Sequence, residues 1–500
     1  MTVQRVKALC DGRWTDLDTR QWSPVHNPST AEVIAEVPMA DAAAVGPVVA
    51  AAATAFETWS QRPIVERARV MFTYRQKIEE NFDELAELVT REHGKTFAEA
   101  RASVQRGQEM VEFACGVPSL AMGRSLPDIA GEVDCETARE PLGVCVGITP
   151  FNFPAMVPLW MYPLAITCGN TFILKPSEKV PMTAVRLGEL LMESGLPDGV
   201  FNILHGGQSV VEALIRHSAV RAVSFVGSTP VARSVHALAV ENGKRVQAAG
   251  GAKNHIVIMP DADIEQAAAA VGAAAFGCAG ERCMAASVAV PAEPVADAFV
   301  EALRRSTAAM TVGETDARQD VDMGPVITRE HQERIERYID VAVEEGAEIA
   351  LDGRAVGYDG SGYIIGPSIV DHVAREMRVF REEIFGPLLS VVRAHDFDDV
   401  LNLGAQCAYG NGASIFTRDG YLARRFKREF NAGMIGINVG VPAPMAWFPF
   451  TGRNQSFFGD LHLQGEEGIG FYTQQRMTLT RWFAPSDRSH TDPVWKTQRS

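Results

Sequence analysis

Val144-Cys-Val-Gly-Ile148 and Thr171-Phe-Ile-Leu174 are short apolar runs with β-branched residues, and the residues between them suit a helix at about 158–166. Further apolar runs at 200–204 and 222–226 alternate with helical patterns at a similar interval. Strands that alternate with helices in this way predict a parallel, doubly wound α/β sheet. Ligands of such sheets bind beyond the carboxyl ends of the strands, so functional side chains are expected there.

A second α/β pattern begins at His255-Ile-Val-Ile-Met259 and continues through strand-like runs such as Tyr363-Ile-Ile365 to Met434-Ile-Gly-Ile-Asn438. Before the first sheet, residues 1–36 read as an irregular lead-in with short strands, and residues 41–122 read as three successive helical segments. A chain of 500 residues exceeds the size at which one core keeps growing. We therefore expect at least two domains, both of the α/β class.

The composition, with 46% hydrophobic and 22% charged residues, is typical of a soluble globular enzyme. A net charge of −15 argues against nucleic acid or an anionic membrane as a partner. The eight cysteines form no Cys-x-x-Cys and no Cys/His cluster at metal-ligand spacing, which predicts reduced thiols in the cytoplasm and no metal site. The uncharged stretch 153–174 contains Pro154, Pro158 and Pro163, so it is expected to be buried core rather than a membrane span.

Gly277-Cys-Ala-Gly-Glu-Arg-Cys283-Met-Ala285 places a cysteine in a small loop that glycines leave open. Asp263 can cap a helix at 264–276 before this loop, and Ser287-Val-Ala-Val290 reads as a buried strand after it. A cysteine is most often a small buried apolar residue, so this local setting permits reactivity without requiring it.

Polar motifs after three strands favour a nucleotide ligand, although the Gly-x-Gly-x-x-Gly fingerprint is missing. Lys175-Pro-Ser-Glu178 could bind ribose hydroxyls, and Gly227-Ser-Thr229 opens a helix whose backbone N–H groups could bind phosphate. The amide of Thr149-Pro-Phe-Asn152 could donate to a developing oxyanion. Each motif alone is also compatible with ordinary turn and cap chemistry.

Taken together, six motifs resemble those of the aldehyde dehydrogenase superfamily in order and spacing, over residues 10–480. The stretches Gly250-Gly-Ala-Lys-Asn-His255, Met259-Pro-Asp-Ala-Asp263 and Gly280-Glu-Arg-Cys-Met-Ala285 are similar, more narrowly, to the CoA-acylating methylmalonate-semialdehyde dehydrogenases. The six motifs are Thr149-Pro-Phe-Asn-Phe-Pro154, Lys175-Pro-Ser-Glu178, Phe225-Val-Gly-Ser-Thr229, Gly250-Gly251, Gly280-Glu-Arg-Cys283 and Glu382-Glu-Ile-Phe-Gly-Pro387.

The resemblance implies the aldehyde dehydrogenase fold and a homotetramer. In that fold a doubly wound NAD-binding domain and a second α/β catalytic domain are accompanied by a small β oligomerisation element. The implied bounds are 1–122 and 144–248 for the NAD-binding domain, 249–454 for the catalytic domain, 123–143 and 468–486 for the oligomerisation element, and 487–500 for a polar tail.

The resemblance also implies residue roles. Cys283 would attack the aldehyde, and Asn152 with the Cys283 backbone N–H would stabilise the oxyanion while hydride passes to NAD and a thioester forms. Glu178 disfavours the 2′-phosphate of NADP. The implied cofactor-binding residues are Thr149, Phe151, Lys175, Glu178, Gly227, Ser228, Glu383 and Phe385.

One departure from the superfamily concerns the acyl acceptor. Hydrolytic members carry a glutamate two residues before the Gly-Gly pair, whereas this chain has Ala248, so coenzyme A rather than water is the expected acceptor. Arg106 and Arg282 match the positions of a clamp for a substrate carboxylate. The implied reaction oxidises methylmalonate or malonate semialdehyde, with decarboxylation, to propionyl-CoA or acetyl-CoA.

Two other functions stay open at this point. A hydrolytic semialdehyde dehydrogenase could release a free acid by using Glu281 or another base. A catalytically silent binding protein could retain the fold, although the presence of Cys283, Asn152, Lys175 and Glu383 argues against it.

Overall fold

The computed structural model describes residues 3–316 and 320–482. The largest sheet in these residues has eight strands. Five neighbouring strands run parallel. The direction of winding reverses between Val144–Ile148 and Val220–Val226, and the crevice at such a switch point is where nucleotides bind. From edge to edge, the strands are Phe457–Phe458, Arg245–Ala249, Val220–Val226, Val144–Ile148, Thr171–Lys175, Phe201–Ile203, Ala8–Cys10 and Arg13–Thr15.

Both faces of this sheet are buried, which explains why its central strands are apolar throughout. Val144, Val146 and Ile148 belong to the apolar cluster on one face, whereas Cys145 belongs to the cluster on the other. Helices Val45–Trp59, Gln208–Arg216 and Thr229–Glu241 supply the first cluster. The second is supplied by Ile64–Glu80, Phe82–His93, Phe97–Cys115, Val117–Leu120, Met156–Thr167, Pro181–Glu193 and Gly465–Phe471.

By length and composition alone, one helical stretch in the described residues, Ala42–Trp59, could cross a membrane. In the fold it is a covering layer of the sheet, because Val45, Val48 and Val49 are buried in the same cluster as the central strand. Its last residue, Trp59, donates from Nε1 to the carbonyl oxygen of Ile166 at 2.9 Å. The uncharged stretch 153–174 is buried, as predicted.

The second sheet has seven strands, six of them parallel. In order, they are Glu348–Leu351, Ser368–Asp371, Leu388–Val391, Ala286–Pro291, Asn254–Ile258, Gly412–Phe416 and Met434–Ile437. The helices that follow or precede these strands are Ile264–Phe276, Ala296–Ala308, Arg329–Glu344, Arg378–Arg381, Phe397–Gln406 and Gly420–Glu429. The α/β fold class predicted from the sequence is confirmed.

Three smaller sheets contain the remaining strands of the described residues. Ser125–Ala130 and Val133–Pro141 form an antiparallel sheet with Thr473–Arg481. The lead-in forms a sheet of Gln4–Arg5, Val33–Pro38 and Trp22–His26, and Tyr409–Gly410 pairs with Arg453–Asn454. The polar tail predicted at 487–500 lies outside the described residues.

The strand predicted at Tyr363-Ile-Ile365 is wrong. The strand on this segment is Ser368–Asp371, and residues 363–367 lead into it without ladder pairing. Pro367 has no N–H group to donate to a neighbouring strand, so the ladder begins after it. The segment is buried and apolar because it packs into the core of the second sheet, which is the signal that suggested a strand.

Candidate active site

The loop that carries Cys283 begins with a left-handed turn. Helix Ile264–Phe276 is capped by Asp263 and is followed by Cys278, Ala279 and Gly280 with φ angles of 52°, 50° and 69°. A Cβ atom on Gly280 would lie 2.3 Å from the carbonyl oxygen of Gly386. The turn therefore needs glycine at this position, and it places Cys283 between a rigid helix and the strand that follows.

Two asparagines fix the backbone of Cys283. Asn254 Nδ2 and Asn411 Nδ2 each donate to the Cys283 carbonyl oxygen at 2.9 Å, and Asn254 Nδ2 also donates to Ala285 at 2.8 Å. Neither asparagine is among the residues predicted from the sequence. Asn254 lies within the Gly250–His255 motif, so its position was a usable signal, whereas nothing near Asn411 pointed to it.

Asn152 connects the first sheet to the Cys283 loop. It follows the strand Val144–Ile148, is buried, and donates from Nδ2 to the carbonyl oxygen of Glu281 at 3.1 Å. An amide carries two N–H groups, so one of them is not used by Glu281. The carboxyl ends of the first sheet thus face the loops that precede strands of the second.

Ten of the predicted site residues line one cleft of about 1030 Å³. This cleft runs from the end of the first sheet to Cys283, which is a half-buried residue. The ten residues are Thr149, Phe151, Asn152, Lys175, Glu178, Gly227, Ser228, Cys283, Glu383 and Phe385.

One end of the cleft carries the groups predicted for a nucleotide. Lys175 Nζ lies 3.3 Å from Glu178 Oε2. Burial opposes ionisation of Glu178, but Lys175, a backbone hydrogen bond and Lys179 together lower the pKa of this carboxyl, so it is an anion. Ser228 is the N-cap of helix Thr229–Glu241 and makes no side-chain cap bond, which leaves the helix terminus available to phosphate.

The other end is shaped by Glu383 and Phe385. Glu383 Oε1 accepts a hydrogen bond from Ala252 N at 2.8 Å, and a Cβ atom on Gly251 would lie 2.1 Å from Glu383 Oε2. Only glycine therefore lets this carboxyl lie against the backbone. Phe385, with a φ of 61°, packs edge-on against Phe151 at 5.9 Å between ring centroids.

The surroundings of Cys283 disfavour ionisation of its thiol. Burial raises the pKa of Cys283 to about 12, and the nearby Glu383 carboxyl adds to the rise, while the Lys95 ammonium opposes it. Burial also raises the pKa of Glu383 to about 7.

Glu281 is fully buried, and its carboxyl group does not line the cleft. Its Oε1 accepts from Ile327 N at 3.2 Å, and His331 Nε2 and His93 Nε2 lie 3.5 and 3.9 Å from its two oxygens. Burial raises the pKa of Glu281 to about 8. This placement does not favour Glu281 as the base of a hydrolytic reaction.

The two predicted clamp arginines lie away from the cleft wall. Arg282 donates from Nε to the carbonyl oxygen of Gly277 at 2.8 Å, and its Nη2 lies 3.6 Å from Glu99. Arg106 Nη1 pairs with Glu109 at 3.0 Å and contacts the sulfur of Met445. Both arginines therefore have acidic neighbours on the same helix, Phe97–Cys115.

Within residues 3–316 and 320–482, no group of three or more His, Cys, Asp or Glu side chains is arranged to hold a metal ion.

Comparison with known proteins matches residues 14–478 to the aldehyde dehydrogenase family. The chain belongs to the aldehyde dehydrogenase family. It is accordingly an enzyme rather than a silent binding protein.

Relatives of known name cover almost the whole chain. Malonate-semialdehyde dehydrogenase of Halalkalibacterium halodurans is 49% identical over 481 residues, which are 96% of this chain and 99% of that protein. The crystal structure of methylmalonate-semialdehyde dehydrogenase (DddC) from Oceanimonas doudoroffii has a TM-score of 0.95 and 43% identity, covering 97% of this chain and 100% of that one. Another crystal structure, of a protein from Sinorhizobium meliloti 1021 complexed with NAD, has a TM-score of 0.95 and 42% identity. It covers 97% of this chain and 99% of that one.

Proposed function

We propose that this enzyme is a CoA-acylating, NAD-dependent semialdehyde dehydrogenase. Ala248 is the observation that carries the proposal. It is fully buried in strand Arg245–Ala249, so the position two residues before Gly250 supplies no carboxylate to activate water. The Glu281 carboxyl lies outside the cleft, and Glu383 Oε1 already accepts a hydrogen bond from Ala252 N. The thiol of coenzyme A needs no such base, because it ionises near neutral pH and is intrinsically nucleophilic.

The covalent step rests on two residues. The Cys283 thiol gives its proton to solvent in the cleft, and its sulfur attacks the aldehyde carbon. The carbonyl oxygen becomes an oxyanion that the second N–H of Asn152 and the Cys283 backbone N–H would stabilise. Loss of hydride then leaves a thioester on Cys283. The backbone hydrogen bonds from Asn254 and Asn411 keep this loop fixed throughout.

The cleft suits NAD as the hydride acceptor. Lys175 and Glu178 would hold the adenosine ribose, Gly227 and Ser228 the pyrophosphate, and Glu383 the nicotinamide ribose. The ionised Glu178 repels a 2′-phosphate, which supports NAD over NADP. When bound, NAD supplies the hydride-accepting chemistry, and the relative crystallised with NAD supports this choice.

From the resemblance, Arg282 and Arg106 would bind the carboxylate of the substrate, which requires both guanidinium groups to turn from Glu99 and Glu109 toward the cleft. Glu99 and Arg106 are seven residues apart on one helix, so they lie on the same face about 10 Å apart. The Arg282 guanidinium lies beside this face because it pairs with Glu99, and the Arg106 guanidinium belongs to the face itself. The thioester formed from malonate or methylmalonate semialdehyde carries a β-carboxylate, which can leave as carbon dioxide because the thioester carbonyl accepts the electron pair. A proton then takes its place on that carbon, and the CoA thiol attacks the thioester carbonyl and displaces the Cys283 sulfur. Malonate semialdehyde would give acetyl-CoA, and methylmalonate semialdehyde would give propionyl-CoA.

The decisive experiment compares NADH formation and products from malonate semialdehyde with and without CoA. We expect acetyl-CoA and strong CoA dependence. Equal turnover with release of a free acid would contradict the proposal and favour a hydrolytic dehydrogenase.

We also propose a homotetramer in the cytoplasm. The antiparallel sheet that contains Thr473–Arg481 exposes Leu126, Ile129, Met477 and Leu479, as expected if a partner subunit covers them. All eight cysteines are free thiols, which suits a reducing compartment. Size-exclusion chromatography with light scattering tests the oligomeric state.

A further inference from the structure

Glu99 links three parts of the site through one carboxylate. Its Oε2 accepts from Thr96 N at 3.2 Å, while Thr96 Oγ1 accepts from Glu99 N at 3.3 Å, so the pair forms a capping box at the start of helix Phe97–Cys115. Its Oε1 accepts from Cys278 N at 2.6 Å and lies 3.6 Å from Arg282 Nη2. Only 19% of the Glu99 side chain is exposed, so these contacts are largely shielded from water.

The bond to Cys278 acts on strained backbone. Cys278 and Ala279 are non-glycine residues with φ angles of 52° and 50°, which L-residues seldom adopt. Such conformations persist only where the surroundings enforce them. A carboxylate on Cys278 N–H is a charge-assisted bond that enforces the first residue of this turn, five positions before Cys283.

The contact with Arg282 acts on charge. Nε of Arg282 is already used by the Gly277 carbonyl oxygen, and Nη2 is shared between Ala273 O at 3.4 Å and Glu99. A substrate carboxylate that binds the Nη1 and Nη2 edge would therefore lie beside the Glu99 carboxylate. Glu99 would compete with the substrate for Arg282 and repel it.

We propose that Glu99 is a positioning residue that holds the nucleophile loop through Cys278 N–H and weakens carboxylate binding at Arg282. The second half of this inference rests on the proposed function of Arg282, and the first half does not. Gln in place of Glu99 would keep one oxygen acceptor for Cys278 N–H, but would remove the charge and the second acceptor, which Thr96 N–H uses. Ala would remove all three.

The test measures NADH formation by the full chain with NAD and CoA, using propanal and malonate semialdehyde. With propanal, kcat of Glu99→Gln should stay within about threefold of the parent, and kcat of Glu99→Ala should fall at least about tenfold. The ratio of KM for malonate semialdehyde to KM for propanal should fall several-fold in Glu99→Gln. In the double variant with Arg282→Leu, this fall should disappear.

Two controls separate positioning from helix capping. Thr96→Ala removes the other half of the cap, and Glu112→Gln removes a charge elsewhere on the helix, where Glu112 pairs with Arg75. Neither should reproduce the propanal defect of Glu99→Ala. Equal kcat values for the Ala and Gln variants, or a Thr96→Ala defect of the same size, would overturn the positioning role.

The charge effect is decided by the KM ratio. An unchanged or raised KM ratio in Glu99→Gln would overturn it, and this holds even where Glu99→Ala does not fold. If Arg282→Leu alone raises KM for both aldehydes alike, the carboxylate clamp fails. The propanal comparison then still decides whether Glu99 positions the loop.

Discussion

Asn152 Nδ2 donates a 3.1 Å hydrogen bond to the carbonyl oxygen of Glu281, two residues before Cys283 in the chain. The bond spans the two sheets, because Asn152 follows a strand of one and Glu281 precedes a strand of the other. It fixes the orientation of the amide before substrate arrives. A preorganised neutral donor of this kind stabilises an oxyanion without reorganisation during the reaction.

Asn152→Ala should therefore lower kcat by about 100- to 1000-fold while KM for the aldehyde changes little. The oxyanion forms only after attack, so the lost interaction belongs to the transition state. Asn242→Ala is a suitable control, because Asn242 caps a distant helix end through Leu238 O. A rise in KM with unchanged kcat would instead indicate that Asn152 binds the aldehyde in its ground state.

Alkylation of Cys283 should be slow and steeply pH-dependent in the cofactor-free enzyme. Only the thiolate reacts, and burial raises the pKa of Cys283 to about 12. The rate with iodoacetamide, followed on the Cys283 peptide by mass spectrometry, should rise about tenfold per pH unit between pH 7 and 9. Lys95→Met should slow it further, because the Lys95 ammonium lowers the pKa of the thiol. A plateau below pH 9 would contradict the prediction.

Glu178→Gln should weaken the preference for NAD over NADP. The variant keeps the size of the side chain but removes the charge that repels a 2′-phosphate. The ratio of kcat/KM for the two cofactors should fall by roughly tenfold, or about 1.4 kcal/mol. Glu189→Gln, which removes a surface charge paired with Arg186, should leave the ratio unchanged. An unaltered ratio in Glu178→Gln would mean that selectivity lies elsewhere.

Arg282→Leu should raise KM for malonate semialdehyde much more than KM for propanal. Only 22% of the Arg282 side chain is exposed, so a carboxylate bound there would be partly desolvated. Loss of such a pair costs about 2 kcal/mol or more, which is roughly 30-fold in KM. Arg305→Leu breaks an exposed pair with Glu265 and serves as the matched control. Equal changes for both aldehydes would make Arg282 structural.

The sequence predicted the local elements well where periodicity and caps agree. Asp263 caps helix Ile264–Phe276 at the predicted bounds, and the α/β alternation correctly indicated the parallel sheets. The prediction failed at Tyr363-Ile-Ile365, because burial without pairing has the same apolar signature as a buried strand.

Long-range contacts within the site could not be predicted from the sequence. The Thr96–Glu99 capping box is readable from its spacing, but the bond from Cys278 N to Glu99 joins residues 179 apart. Positive φ angles at Cys278 and Ala279 carry no sequence signal, because neither residue is a usual left-handed one. Contacts of this kind depend on how the two sheets face each other.

Glu281 provides a stability test that also examines the hydrolytic alternative. Burial raises its pKa from 4.5 to about 8, so between these values the folded state holds a proton that the unfolded chain releases. Stability from this group is therefore complete below pH 4.5 and is lost as pH rises through about 8, by a few kcal/mol. Glu281→Gln keeps an acceptor for Ile327 N. The Tm of the variant minus the Tm of the parent should therefore increase as pH rises from 5 to 9. Turnover with CoA should persist in the variant. A pH-independent Tm difference would contradict the buried-proton assignment, and loss of all turnover would restore Glu281 as a catalytic base.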